Sequence, residues 1–83
     1  MDIIYIDYAK DTIKDRNINK EDIEKAILNP HEIIEGKKGR KIAHKILGNK
    51  LLRVVFEQEA KTYIVITAYY ARPKRYIKNE NKF

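Results

Sequence analysis

Arginine, lysine and tyrosine are the residue types that hold a phosphodiester, and this chain gathers them in two stretches with one isolated arginine between. Lys37, Lys38, Arg40 and Lys41 fall within five residues, Arg53 stands alone in LLRVVF (51–56), and YYARPKRY (69–76) brings Tyr70, Arg72, Lys74, Arg75 and Tyr76 into seven. Arg grips phosphate through two parallel N–H groups, while Tyr offers a face on which a base can stack and a hydroxyl for hydrogen bonding. Lys38, Arg40, Lys41, Tyr70, Lys74 and Arg75 are therefore candidate RNA contacts. Metal-independent RNA cleavage needs three further things: loss of the ribose 2′-hydroxyl proton, stabilisation of the phosphorane's charge and protonation of the 5′-oxygen.

Other chemistries lack their residues. His31 and His44 are the only histidines and there is no Cys; zinc takes three or four ligands, so neither a metal nor a cofactor is expected. The chain has no Ser, and Thr12, Thr62 and Thr67 have no evident His–acid partner for nucleophilic catalysis. GKKGRK (36–41) has two glycines and no helix after it, which is not a phosphate-cradling loop. A structural or surface role is the first reading of each histidine, although His44, mid-strand with Ile42 and Ile46 on the same face, has the chemistry of a proton carrier and could be reached from the sheet surface.

The charge is segregated. Residues 1–36 hold five Lys/Arg against nine Asp/Glu, and 37–83 hold thirteen against three, within a net charge of +6. A surface merely solvated by Lys and Glu would intersperse the signs. A basic field of this density attracts polyanions, nucleic acid ahead of an anionic membrane surface. The opening MDIIYIDY has no basic leader character and no apolar run reaches the roughly 18–20 residues of a membrane span, so a cytoplasmic protein without a membrane segment is expected. Eighty-three residues, 43% hydrophobic and 36% charged, suit one small globular domain, predicted over residues 1–76 with a frayed tail at 77–83.

Elements to position these side chains follow from periodicity. DIIYI (2–6) reads either as an edge strand or as a lead-in to the first helix. Asp7 is placed to cap a helix over about 8–16 with Ala9 and Ile13 inward; Asn19 caps a second, with Ile23, Ala26 and Ile27 inward and Pro30 beyond its end. The period then changes to 2. HEIIEG (31–36), KIAHKIL (41–47), LLRVVFEQ (51–58) and TYIVITAYY (62–70) read as strands, with turns at 36–39, 48–50 and 59–61. The fold class is α+β, two N-terminal helices packed on one face of a three- to four-stranded antiparallel sheet. Leu52, Val54 and Phe56 share the helix-covered face; Leu51, Arg53 and Val55 share the opposite, uncovered one.

YAKDTIKDRNINKEDIEKAILNP (8–30), GRKIAHKILGNKLLRVVFEQ (39–58) and YIVITAYY (63–70) together resemble a family of small prokaryotic proteins of unknown function, with Tyr8 where that family often has His. That family in turn is similar to RelE-type and BrnT-type toxins of toxin–antitoxin pairs, which implies a RelE/ParE toxin-like fold. By the same resemblance Arg53 matches the toxins' strand arginine, Arg72 the arginine after the last strand, and Tyr76 the terminal tyrosine. The expectation is a toxin-like endoribonuclease with Arg53 and Arg72 clamping the phosphorane, Lys38 or Arg40 as a further electrostatic contact, and Tyr76 or His44 transferring the proton. Its partners would be RNA, ribosome-associated messenger included, and an acidic antitoxin protein. Exposed sheet edges would allow a homodimer. A noncatalytic module that binds RNA or protein through the same face is the rival reading.

Overall fold

The structure, a computed structural model, describes residues 2–73. It runs β1 (Asp2–Tyr5), α1 (Asp7–Asp15), α2 (Lys20–Leu28), β2 (Glu32–Glu35), β3 (Lys41–Leu47), β4 (Lys50–Glu59) and β5 (Thr62–Ala71), with one 3-10 turn at Lys37–Gly39 before β3. The fold is α+β, two helices on one side of a sheet. The sheet has five strands and is mixed, where the sequence predicts three to four antiparallel ones: its order is β1-β5-β4-β3-β2, and β1 pairs in parallel with β5. DIIY supplies the extra strand. Its alternation turns Ile3 and Tyr5 toward the core, and it covers part of the β5 edge that a four-stranded meander leaves bare.

Helix α1 begins one residue earlier than expected, and its N-cap is Ile6, without a side-chain cap; Asp7 lies in the first turn, where a carboxylate meets the positive end of the helix dipole. Its C-terminus is closed by backbone alone. Ile18 N–H donates to the Ile13 carbonyl at 2.9 Å and Asn17 N–H to the Lys14 carbonyl at 3.1 Å, with Asn17 left-handed at φ 54°. This is the Schellman closure, and Ile13 and Ile18 are both buried beneath it. In α2 the Asn19 side chain accepts from the Glu21 N–H at 2.8 Å, as its position before an apolar-periodic segment predicts.

The core lies between helices and sheet. Ala9, Ile13, Ile18, Ile23, Ala26 and Ile27 meet Ala43 of β3, Leu52, Val54 and Phe56 of β4, and Val65 and Ala68 of β5. Strands β3 and β4 turn through Gly48 and Asn49, which sets Leu47 opposite Lys50 and hence His44 opposite Arg53. Between β4 and β5 the register slips by one at Val55/Phe56: Phe56 faces Val65, but Val55 faces Thr67. Ile66 is the extra residue of this β-bulge, and it reverses the alternation of everything after it in β5.

The sheet face turned away from the helices is less bare than expected. Leu51 and His44 are 0% exposed there and Arg53 is 7% exposed. Alternation places Ile42 and Ile46 either side of His44, and Leu51 and Val55 either side of Arg53, so the polar pair is set among apolar side chains.

Candidate functional site

Four strands contribute one side chain each to a line across the sheet face opposite α1 and α2. Register puts Glu32 of β2 opposite His44 of β3, His44 opposite Arg53 of β4, and Arg53 opposite Tyr69 of β5. Cross-strand neighbours on one face are close enough to bond. Glu32 Oε1 lies 2.9 Å from His44 Nδ1, Arg53 Nε donates to His44 Nε2 at 3.0 Å, and an Arg53 terminal nitrogen donates to the Tyr69 hydroxyl oxygen at 2.6 Å. The result is a carboxylate–imidazole–guanidinium–phenol chain.

The donor and acceptor roles in it are determined. A guanidinium keeps its protons, so His44 Nε2 must accept, the ring hydrogen sits on Nδ1, and Nδ1–H donates to Glu32. His44 thus spends its lone pair on Arg53. Being wholly buried as well, it positions Arg53 and does not face a substrate, contrary to the expectation that it can be reached from the surface. Held at two nitrogens of one plane, the Arg53 guanidinium has its orientation set before any ligand arrives. Tyr69 accepts from Arg53 and so retains its own hydrogen for donation. The Arg53 guanidinium also stands over the Tyr69 ring, 5.4 Å from its centroid, and Arg16 stands over the same ring at 5.8 Å.

The remaining residues singled out in the sequence are dispersed. Lys38 is exposed in the 3-10 turn at φ 59°. Arg40 lies on the same face as Arg53 but pairs with Glu57 at 3.3 Å, a half-exposed ion pair. Lys41 is opposite Phe56 and belongs to the helix side. Tyr70 also packs on the helix side, with Lys50 5.3 Å from its ring centroid. Arg72 is exposed just past the end of β5, outside the bonded chain. Lys74, Arg75 and Tyr76 lie outside the described residues, as does the segment 77–83. His31 accepts the Ile46 N–H at 3.1 Å. Among the described residues no three His, Asp or Glu side chains are grouped to hold a metal ion.

Glu32, Tyr69 and Arg16 were not singled out from the sequence. Glu32 carried a usable signal, because a turn centred on Lys38 sets it opposite His44. Tyr69 was hidden by the bulge: unbroken alternation from the observed Glu59–Thr62 pair puts Ala68 opposite Arg53 and Tyr70 on the Arg53 face, and the bulge exchanges the two tyrosines.

Among proteins already grouped into families, the profile described as Domain of unknown function (DUF4258) matches residues 7–70, a span that contains Arg16, Glu32, His44, Arg53 and Tyr69. No curated protein and no solved structure matches the chain. With the match covering most of its length and the whole of the bonded chain, this protein belongs to the DUF4258 family, a domain of unknown function.

Proposed function

We propose that this domain is a metal-independent endoribonuclease, related to RelE-type toxins, that cuts single-stranded RNA on the sheet face opposite α1 and α2. The observation that carries the reading is the Glu32–His44–Arg53–Tyr69 chain, in which a preset cation and a proton donor are joined. Arg53 stabilises the charge that develops on the phosphorane. Tyr69 gives its hydrogen to the departing 5′-oxygen as the P–O5′ bond breaks, and is reprotonated from solvent. The 2′-oxygen forms the new P–O bond and its proton passes to solvent, leaving a 2′,3′-cyclic phosphate and a 5′-hydroxyl end. His44 and Glu32 position Arg53. A short acidic antitoxin protein would silence the enzyme by covering Arg53 and Tyr69, and messenger RNA in the cytoplasm would be its substrate.

The noncatalytic reading has one observation in its favour, the 7% exposure of Arg53, since a guanidinium so enclosed can serve as a pin between strands. One assay separates the two. Purified protein is incubated with single-stranded RNA in excess EDTA, and the ends are analysed. Cyclic-phosphate ends are expected, with the rate reduced about a hundredfold or more by Tyr69→Phe, which keeps the ring and removes the proton donor. Arg53→Ala should abolish cleavage, its folding being checked by circular dichroism. RNA that is bound and stays intact decides for the binding module; RNA neither cut nor bound ends both nucleic-acid readings.

A further inference from the structure

Strand β1 ends the sheet and, among the described residues, pairs with β5 alone. Asp2 N–H donates to the Lys61 carbonyl and Ile6 N–H to the Val65 carbonyl, both at 3.2 Å, so alternation turns the backbone groups of Ile3 and Tyr5 outward, away from β5. An outward row of N–H and C=O groups is completed by another strand. The side chains along this edge agree with that. Ile4 is 51% exposed, Ile6 38% and Tyr8 59%, where the strand leads into α1, and Asp2 is the one charged residue of β1. Strand β2, at the other end of the sheet, carries Glu32 and Glu35 at its two ends, charges of the kind that guard an edge against pairing. A second copy of β1 fits in register. In an antiparallel pair with its two-fold axis at Ile4, Ile3 of one copy lies opposite Tyr5 of the other, and both present their backbone groups outward, so each such pair exchanges both of its hydrogen bonds. Ile4 then faces Ile4 of the second copy, and Asp2 faces Ile6, so the acid of β1 never opposes itself.

We infer that two copies of this chain join through β1 about a two-fold axis at Ile4, so that their five-stranded sheets run on as one. The pairing is closed, because a two-fold contact is used up once both copies are in place. Ile4 and Ile6, exposed in the single copy, become its apolar contacts on the face opposite α1 and α2. Tyr69 lies on β5, the neighbour of β1, so the dimer sets both Glu32–His44–Arg53–Tyr69 chains on the same face of one sheet. The inference does not depend on the RNA-cutting role.

The test is sedimentation equilibrium of the full chain over a concentration series. One short strand pair belongs at the low end of interface sizes, so the wild type should pass from dimer to monomer on dilution through the micromolar range. Ile4→Lys sets two like charges opposite each other at a position exposed in the single copy; it should leave the circular dichroism spectrum unchanged and weaken the dimer about tenfold or more. Mixing Ile4→Lys with Ile4→Glu should restore a dimer, which a loss of folding would not allow. The chain has no Cys, so a new one gives a second measure. Opposed Cα atoms at a non-hydrogen-bonded position stand about 4.5 Å apart, within disulfide reach, and Ile4→Cys should oxidise to a covalent dimer faster than Ile33→Cys, which is exposed on β2. A wild type that stays monomeric up to about 1 mM overturns the inference and leaves β1 to a strand of another protein. So does a dimer indifferent to Ile4→Lys, and so does Ile33→Cys oxidising as fast as Ile4→Cys, which takes the contact away from β1.

Discussion

At the scale of single residues, two tyrosine hydroxyls meet opposite surroundings. Tyr69 has its oxygen bonded to Arg53, whereas the Tyr5 hydroxyl is buried with no hydrogen-bond partner among the described residues, and Lys20 lies over its ring 5.0 Å from the centroid. Burial first, and the Glu24 carboxylate second, push the Tyr5 phenol above its ordinary value of 10.0. Above pH 10 the unfolded chain gives up this proton while the folded chain keeps it, so the unfolded state gains by ionising. The contribution of Tyr5 to stability is therefore intact at neutral pH and is lost as pH rises through the folded-state value. Tyr5→Phe keeps the ring beneath Lys20 and removes the unpaired hydroxyl. It is expected to raise stability by about 1 kcal/mol at pH 7 and to flatten the alkaline limb of a urea-unfolding series. A lower midpoint for Tyr5→Phe would mean that the hydroxyl is satisfied in solution. His44 illustrates the opposite case, a buried polar ring with both nitrogens engaged, as a buried imidazole must be to avoid a desolvation cost.

At the scale of elements, the turns decide which side chains meet. Three of them hold non-glycine residues in the left-handed region, Asn17 at φ 54° after α1, Lys38 at φ 59° before β3 and Ala60 at φ 52° between β4 and β5. Asn tolerates that conformation through its short polar side chain, and Ala does not. Ala60→Gly is accordingly expected to stabilise the domain by about 0.5–1 kcal/mol, the relief of strain outweighing the added freedom of the unfolded chain, as a shift in the thermal midpoint would record. Asn17→Val should cost about 1–2 kcal/mol by opposing the left-handed turn. Much of the element level was legible: both helices, the inward Ile23, Ala26 and Ile27, and the facing of Leu52, Val54 and Phe56 all follow from periods of 3.6 and 2. The bulge at Ile66 was not, because TYIVITAYY is apolar on both faces and its composition carries no sign of where alternation breaks.

For the whole molecule, the two helices α1 and α2 pack on one side of the sheet, and no helix among the described residues is long and apolar enough to cross a membrane. A domain of this length has a stability of about 4–12 kcal/mol. Phe56 is buried at the centre of the core and meets Tyr63 edge to face, with centroids 5.6 Å apart. Phe56→Ala should remove about 3–5 kcal/mol and bring the chain close to unfolding at 37 °C, a change that urea titration would show as a large drop in midpoint without a change in slope. The sequence by itself determined the α+β class and the inner faces of the helices, because hydrophobic period acts over a few neighbouring residues. Only the tertiary structure decided that β1 joins the sheet in parallel, that Tyr69 and not Tyr70 meets Arg53, and that Arg16 reaches Ala68, 52 residues away in sequence. Those outcomes depend on how distant backbones pair and where a strand slips, and local composition does not encode either.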